Sequence, residues 1–587
     1  MTVRKMIELN EELERYLGDP HDPATTMSFK RVLEFDEREE FPFELVGLLQ
    51  RWRLHEYCLP AAWGGRAGDV EVGFNLLRLV ARRDPTSATA LMLTDLAFMP
   101  AWIAGTEAQR RYFVDAINNG TRMAWGLSER HHGSDVLSNE MVAEKVDGGY
   151  VLTGEKYLIG NATIADVVSV HARTGKRGGP GDWSIFAVEK RKAPAGAIVE
   201  LPNERLHGLR ALDMSGIRLD KLFVPDENRL GAEGQGLEIA LKSAQVARTT
   251  ISSMALGAVD TALRVTCDFV VDREIFGQKV ADIPYSRRQL AECFADLLLA
   301  DAVSTGAVRG LQANPGQTSV FSSVVKYFVP TLLERTMAQL SVVLGARLYL
   351  RSHPHYGIYQ KMLRDVLVAI FADGNTVVNL KNIALQLDGI LKAARDTPAD
   401  ARGQAEQRVA AQFDLDAELP EWRPAEQLLF SRGGDEVVLA LPSAIKALRA
   451  LHHPEPVQRQ WFQRSADVAE RLLGELDRLG AELADLKGNR DHGSSAEIFR
   501  LAERYSAVHA AAAAVHLVVQ SAPVLRDPFP DGAVLLLCLE RAWRQVDPTR
   551  PVTDAAVVDR VVEVLFRLHR ERRLFSHWQF QLLASGE

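Results

Sequence analysis

Between about Met27 and Asn119 apolar residues recur three and four positions apart, most regularly from Phe74 to Ala101, which predicts amphipathic helices packed on one another. The segment LPAAWGG, Leu59 to Gly65, interrupts them with a proline and paired glycines and reads as a turn. Near Arg122 the texture changes. YVLTGEKYLIGN (150–161) and WSIFAVEK (183–190) bunch or alternate β-branched and aromatic residues between glycine-rich turns, which predicts short antiparallel strands over roughly Met123 to Gly234. Helical spacing returns at Leu237 and holds to Leu387 in long segments whose wide apolar stripes need covering, so a helix bundle is predicted. From Ala393 to Arg423 the chain turns polar and carries no stripe, as a solvated linker would. The remainder is mostly helical, with the alanine run Ala510 to Ala514 inside one helix. The resulting architecture is mostly α with a central β domain: helical domain 1–122, β domain 123–235, bundle 236–392, linker 393–422 and an additional helical domain 423–587.

A length of 587 residues calls for several cores, and 47% apolar with 25% charged residues is the balance of an ordinary globular protein. The net charge of -8 argues against nucleic acid as a partner. Cys58, Cys267, Cys293 and Cys538 have neither disulfide nor metal spacing, which points to a reducing compartment. The first residues lack the apolar core of a secretion signal, and no run reads as the ~18 apolar residues of a membrane span, so a cytoplasmic location without integral membrane association is expected. His131 and His132, like His353 and His355, lack the spacing of metal ligands, and no metal is expected.

Three segments carry chemistry. GLSERHHGSD, Gly126 to Asp135, resembles a signature of the acyl-CoA dehydrogenase family that runs leucine, threonine, glutamate, proline, two variable residues, then glycine, serine, aspartate. GEKYLIGNATIAD, Gly154 to Asp166, is similar to that family's second flavin-facing strand. The segment Ala247 to Pro284 looks like its long helix ending in arginine, two residues, phenylalanine and glycine. The resemblance implies an acyl-CoA dehydrogenase-like fold, with an N-terminal helical domain, a middle β-barrel or sandwich and a four-helix bundle, followed here by an extra helical domain of the kind long relatives carry.

It also implies FAD. Trp125, Leu127 and Ser128 would lie on the flavin, Ser128 at its pyrimidine edge, where fixed donors stabilise the charge of the reduced ring. Ser134 would sit near both cofactor and thioester. Leu158, Ile159 and Gly160 would face the ring, with Leu158 and Gly160 standing where relatives have tryptophan and threonine, so the hydroxyl that contacts flavin N5 is missing. Arg273 would reach the pyrophosphate of a neighbouring subunit's FAD, a task suited to a guanidinium fork, and Phe276 would pack beside it. Gly345, next to Ala346, would hold the adenine end, and Asn375 and Asn379 the adenosine. Such sharing implies a homodimer or higher homo-oligomer, and an extra domain that covers the tetramer surface of relatives favours the dimer.

α,β-Dehydrogenation of an acyl thioester needs a base for the α proton opposite the hydride acceptor. In LRDVLVAIFADGNTVVN, counting from Arg364 and Asp365, the family's glutamate position falls on Asp373, with Gly374 and Arg248 expected at the substrate. The other helix position used for a base in some relatives, just before Arg248, is Ala247. Aspartate is shorter than glutamate by about 1.5 Å, and a misplacement of about 1 Å can slow a reaction on the order of 100-fold. The leading expectation is an FAD-dependent dehydrogenase or desaturase of an acyl thioester on coenzyme A or a carrier protein. The alternatives are a flavin-dependent oxygenase or oxidase on the same fold, or a noncatalytic relative. The charged run HRERRLF, His569 to Phe575, is expected to be a solvated helix face.

Overall fold

The computed structural model describes residues 2–431, 434–451, 453–486, 495–525, 529, 531–550 and 553–583. Helices α1 (Val3–Leu17), α2 (Phe29–Arg38), α3 (Phe43–Arg51), α4 (Val70–Ala81), α5 (Pro85–Ala104) and α6 (Glu107–Asn118) form the first layer. Asp84 starts α5 by accepting from the amides of Thr86 at 3.2 Å and Ser87 at 3.0 Å, with Pro85 in the first helical position. By length and composition α5 could cross a bilayer, against the sequence reading that no run is long enough, but it is packed inside the protein.

Strands β1 (Met123–Gly126), β2 (Val142–Val146), β3 (Gly149–Gly160), β4 (Val167–Arg173), β5 (Trp183–Glu189), β6 (Ile198–Leu201), β7 (Met214–Pro225) and β8 (Arg229–Leu230) make one sheet in the order β6-β7-β3-β2-β4-β5-β8, with β1 pairing parallel to β4. Its own core contains Tyr150, Leu152, Phe186 and Ile217. The register of β3 on β7 slips between Tyr157 and Ile159, and this bulge turns Leu158 outward at a φ of 55°.

Helices α7 (Gly236–Thr250), α8 (Ser252–Asp272), α9 (Pro284–Ala313), α10 (Thr318–Leu344), α11 (Pro354–Asp365), α12 (Val368–Phe371) and α13 (Thr376–Asp396) follow, with α10 packed against α8, α9 and α13. Between α8 and α9 a small hairpin joins β9 (Glu274–Ile275) to β10 (Gln278–Lys279). The fold class is therefore as the sequence predicts: helices, a central β domain, then a bundle.

The stretch 393–422 departs from its reading as a solvated linker, because α14 (Ala399–Phe413) is a docked helix. Ala405, Val409 and Phe413, four residues apart, are buried, and the Phe413 ring occupies the space a side chain at Gly306 of α9 would need. A stripe this narrow among charged residues escapes a periodicity test.

Beyond it lie α15 (Glu436–Leu439), α16 (Leu441–Ala450), α17 (Pro456–Leu473), α18 (Glu475–Leu486), α19 (Ala496–Gln520), α20 (Ala522–Leu525), α21 (Ala533–Val546) and α22 (Ala555–Arg570). The alanine run is buried in α19, which packs on α9, α13 and α21. In the run His569 to Phe575 the charged residues are exposed or half-exposed as expected, but its apolar end is not. Leu574 and Phe575 are fully buried, and the tail enters the first domain. Asp301 accepts from Arg78 at 2.6 Å, the Ser576 hydroxyl at 2.7 Å and the His577 amide at 2.8 Å, while Glu71 accepts from Trp578 Nε1 at 3.0 Å and Arg309 at 2.6 Å.

Candidate active site

The loop that follows β1 is fastened by a buried ion pair. Lys156 of β3 donates to Glu129 Oε1 at 2.7 Å and to the Leu127 carbonyl at 3.1 Å, and the Glu129 carboxylate also accepts from the Glu140 and Met141 amides. Burial pushes Lys156 down to about 8 against the pull of Glu129. Ser128 is stitched to the same strand: its hydroxyl donates to the Tyr157 carbonyl at 3.0 Å and its carbonyl accepts from the Tyr157 amide at 3.1 Å. The hydroxyl expected at the flavin edge thus first fixes the loop against the bulge that carries Leu158. Trp125 and Leu127 are half-buried, Ser134 lies exposed, and Leu158 is 50% exposed at the open side of the bulge.

The glycine at position 160 has a local cause. A Cβ built there would come within 2.4 Å of Leu93 Cδ1 on α5. Leu93 takes the room a threonine would need, and Asn161 ties the strand end to α5 through the Ala90 carbonyl at 2.9 Å. Ile159 and Gly160 are both buried.

On the bundle side, Asp373 and Gly374 form a turn between α12 and α13, at φ 55° and 99°. Aspartate tolerates this left-handed backbone better than most residues do. Arg248 of α7 donates from Nε to the Asp373 carbonyl at 2.9 Å and crowds Gly374 so closely that an added Cβ there would lie 3.1 Å from its Nη2. The half-buried Asp373 carboxyl is raised above the usual carboxylate range by burial, with Lys326 and Arg248 pulling it down. Lys326 of α10 is buried, donates to the Ala369 carbonyl, and is pushed down to about 7 by burial, with Asp373 opposing that drop and Arg248 adding to it. The sequence reading missed Lys326, Leu93 and the Glu129–Lys156 pair. For Lys326 a signal existed: it is the one charge in the run Val324 to Phe328.

Asn375 and Asn379 are placed differently from the expectation. Asn375 caps α13 by accepting from the Val378 amide at 3.0 Å. Asn379 is fully buried and spends its amide group on the carbonyls of Gly374 at 3.1 Å and Asn375 at 2.8 Å, bracing the Asp373 turn rather than facing a cofactor. Arg364 and Asp365 fasten the bundle to the other domains: Arg364 pairs with Asp36 at 2.6 Å, and Asp365 accepts from the Leu209 amide at 2.6 Å and pairs with Lys361.

Arg273 links α8 to the β9–β10 hairpin, and its guanidinium meets no acceptor among the described residues. The hairpin turn sets Phe276 at φ 51° and Gly277 at φ 77°, and Phe276 is 94% exposed. An aromatic ring held in a strained turn and shown to water contributes nothing to this chain's own core. Gly345 ends α10 at φ 57° with open space around it. An anchored loop with an open bulge, a free guanidinium and a displayed ring fit the donor set and stacking surfaces that an FAD requires.

Models of the acyl-CoA dehydrogenase N-terminal, middle and C-terminal domains match residues 21–121, 124–222 and 234–387. The cyclohex-1-ene-1-carbonyl-CoA dehydrogenase of Geobacter metallireducens is 27% identical over 378 residues, which is 64% of this chain and 98% of the relative. The solved acyl-CoA dehydrogenase of Bacillus anthracis complexed with FAD shares the fold over 97% of this chain and 95% of its own, with a TM-score of 0.69 at 17% identity, so the extra helices are part of a shared architecture. The structure of the prolyl acyl carrier protein oxidase AnaB superposes on 64% of this chain and 96% of its own with a TM-score of 0.58 at 21% identity. The chain belongs to the acyl-CoA dehydrogenase family of FAD-dependent oxidoreductases acting on CH–CH groups, and FAD is its cofactor.

Proposed function

We propose that the protein is a dehydrogenase or desaturase of an acyl thioester in which Asp373 removes the α proton. The observation that carries this reading is the Asp373 turn: a carboxyl raised by burial, held at its own carbonyl by Arg248 and faced by the buried Lys326. A general base works best when its pKa lies near the operating pH, and burial moves Asp373 in that direction. Bound FAD supplies the acceptor for the β hydride. Asp373 would take the α proton, and the electron pair left at the α carbon would become the new C=C bond as the β hydride departs. Lys326 and Arg248 oppose the rise that burial gives the Asp373 carboxyl.

Relatives named for coenzyme A thioesters and a structural neighbour named for a carrier protein support an acyl thioester and leave both carriers open. The exposed Phe276 and the free Arg273 support a homodimer in which each hairpin completes its partner's cofactor site. Four free thiols support a cytoplasmic setting. Anaerobic bleaching of the flavin by a panel of acyl thioesters tests the proposal, and a flavin that none of them bleaches counts against it. Gly160, which lacks a hydroxyl, favours a second reading as an oxidase or oxygenase. Substrate-dependent oxygen uptake that persists without Asp373 would select it.

A further inference from the structure

Two residues along α5 from Leu93, the helix turns a carboxyl into an apolar cavity of about 50 Å³ between α4, α5 and α7. Phe74, Leu77, Met92, Met99, Val246 and Trp422 supply most of its wall, with Ala247 and Cys58 completing it beside Asp95. Oδ1 of Asp95 is shut off from solvent and accepts no hydrogen bond, and no cation faces the group among the described residues. Burial raises it to about 7, opposed only by the Cys58 thiol. Asp95 lies mid-helix, so it caps nothing. A buried acceptor with no partner is a cost that an apolar residue in its place would not incur.

The cavity adjoins the elements of the proposed site. Ala247 in its wall is followed directly by Arg248, which holds the Asp373 turn, and Leu93, on the same helix as Asp95, touches Gly160. Its size suits a short functional group rather than a long alkyl chain. We infer that Asp95 selects acyl thioesters whose acyl part carries an N–H or O–H donor, which meets the unpartnered oxygen, over plain alkyl thioesters of the same length. This rests on the acyl-thioester reading above. An alkyl group entering the cavity leaves Oδ1 unmet, whereas a donor satisfies it, and an ammonium does so with charge assistance. A site built to hydrogen-bond one group rejects the analogue lacking it far more strongly than an apolar pocket rejects an added methylene.

The test uses the flavin-loaded protein and matched coenzyme A thioesters of a five-carbon acyl chain that is unsubstituted or carries a hydroxyl or an amine at its far end. Binding is read by calorimetry, and turnover separately by anaerobic bleaching. The wild type is expected to bind at least one donor-bearing thioester roughly tenfold or more tighter than the alkyl one. Asp95→Leu, nearly isosteric, is expected to lose that preference and to melt higher. Asp95→Asn distinguishes the donors, because it keeps a preference for the hydroxyl and loses one for the ammonium. Equal affinity for all three thioesters in the wild type, or a preference unchanged in Asp95→Leu, overturns the inference even if every thioester bleaches the flavin. Binding in the expected order without any bleaching overturns the dehydrogenase reading instead and leaves the selectivity of Asp95 standing.

Discussion

Replacing Asp373 with asparagine separates proton transfer from folding. Asparagine accepts a φ of 55° as readily as aspartate. It matches the side-chain volume and leaves in place the backbone carbonyl that Arg248 holds. Only the charge and the basic oxygen are lost. General-base assistance contributes about 10² to 10⁴ in rate, so flavin reduction by the best thioester should slow on the order of 10³-fold. Binding should stay within about threefold, because the lost interaction is made in the transition state. In the wild type the rate should rise with pH as Asp373 ionises, along a limb lying above the usual carboxylate range, and the variant should lack that limb. A second readout comes from Lys326. Asp373 holds its pKa up, so without that charge the lysine should lose its proton below about 7. Anaerobic stopped-flow absorbance across pH measures the rates, and flavin content verifies the fold. An Asp373→Asn protein that reduces its flavin within about threefold of wild type would remove this residue from the chemistry.

Lys326→Met should be more stable than wild type by a margin that grows as pH falls from 10 toward 6. The unfolded chain binds the lysine proton up to 10.5 but the folded one only to about 7, which corresponds to about 5 kcal/mol in full. Denaturant midpoints measure this, and a pH-independent margin would contradict it. Gly160→Thr should cost about 1–3 kcal/mol through its collision with Leu93, and adding Leu93→Ala should restore much of that in a double-mutant cycle. Arg273→Gln should release flavin on gel filtration and weaken the proposed dimer, with Arg273→Lys failing to rescue. Asp301→Ala strands Arg78 as a buried, unpaired charge and should cost about 3–5 kcal/mol in urea unfolding.

The order of helical and β segments was plain from periodicity, because each domain is large enough for its apolar pattern to repeat. Asp373, Arg273 and Phe276 could each be singled out by counting along a local motif, since each signal spans only a few residues. What the sequence hid depends on partners far along the chain. Gly160 looked like a lost functional group until Leu93, distant in sequence, appeared in its place. Lys326 reads as one polar position on a helix until burial and the Asp373 turn give it a role. Asn379 looked like a free amide because nothing local shows that its own turn consumes both donors. The helix Ala399–Phe413 was taken for a linker because only Ala405, Val409 and Phe413 form its apolar stripe, among polar and charged neighbours.

The docked tail has a consequence for how the molecule is made. Ser576, His577 and Trp578 reach carboxylates on α4 and α9, so a groove between two earlier helices is filled by the segment that follows α22. A polypeptide halted after α22 would hold that groove open to water with acidic groups lining it. Closure of that interior therefore waits for the segment beyond α22, and a chain cut before Ser576 would show Glu71 and Asp301 where the intact one hides them.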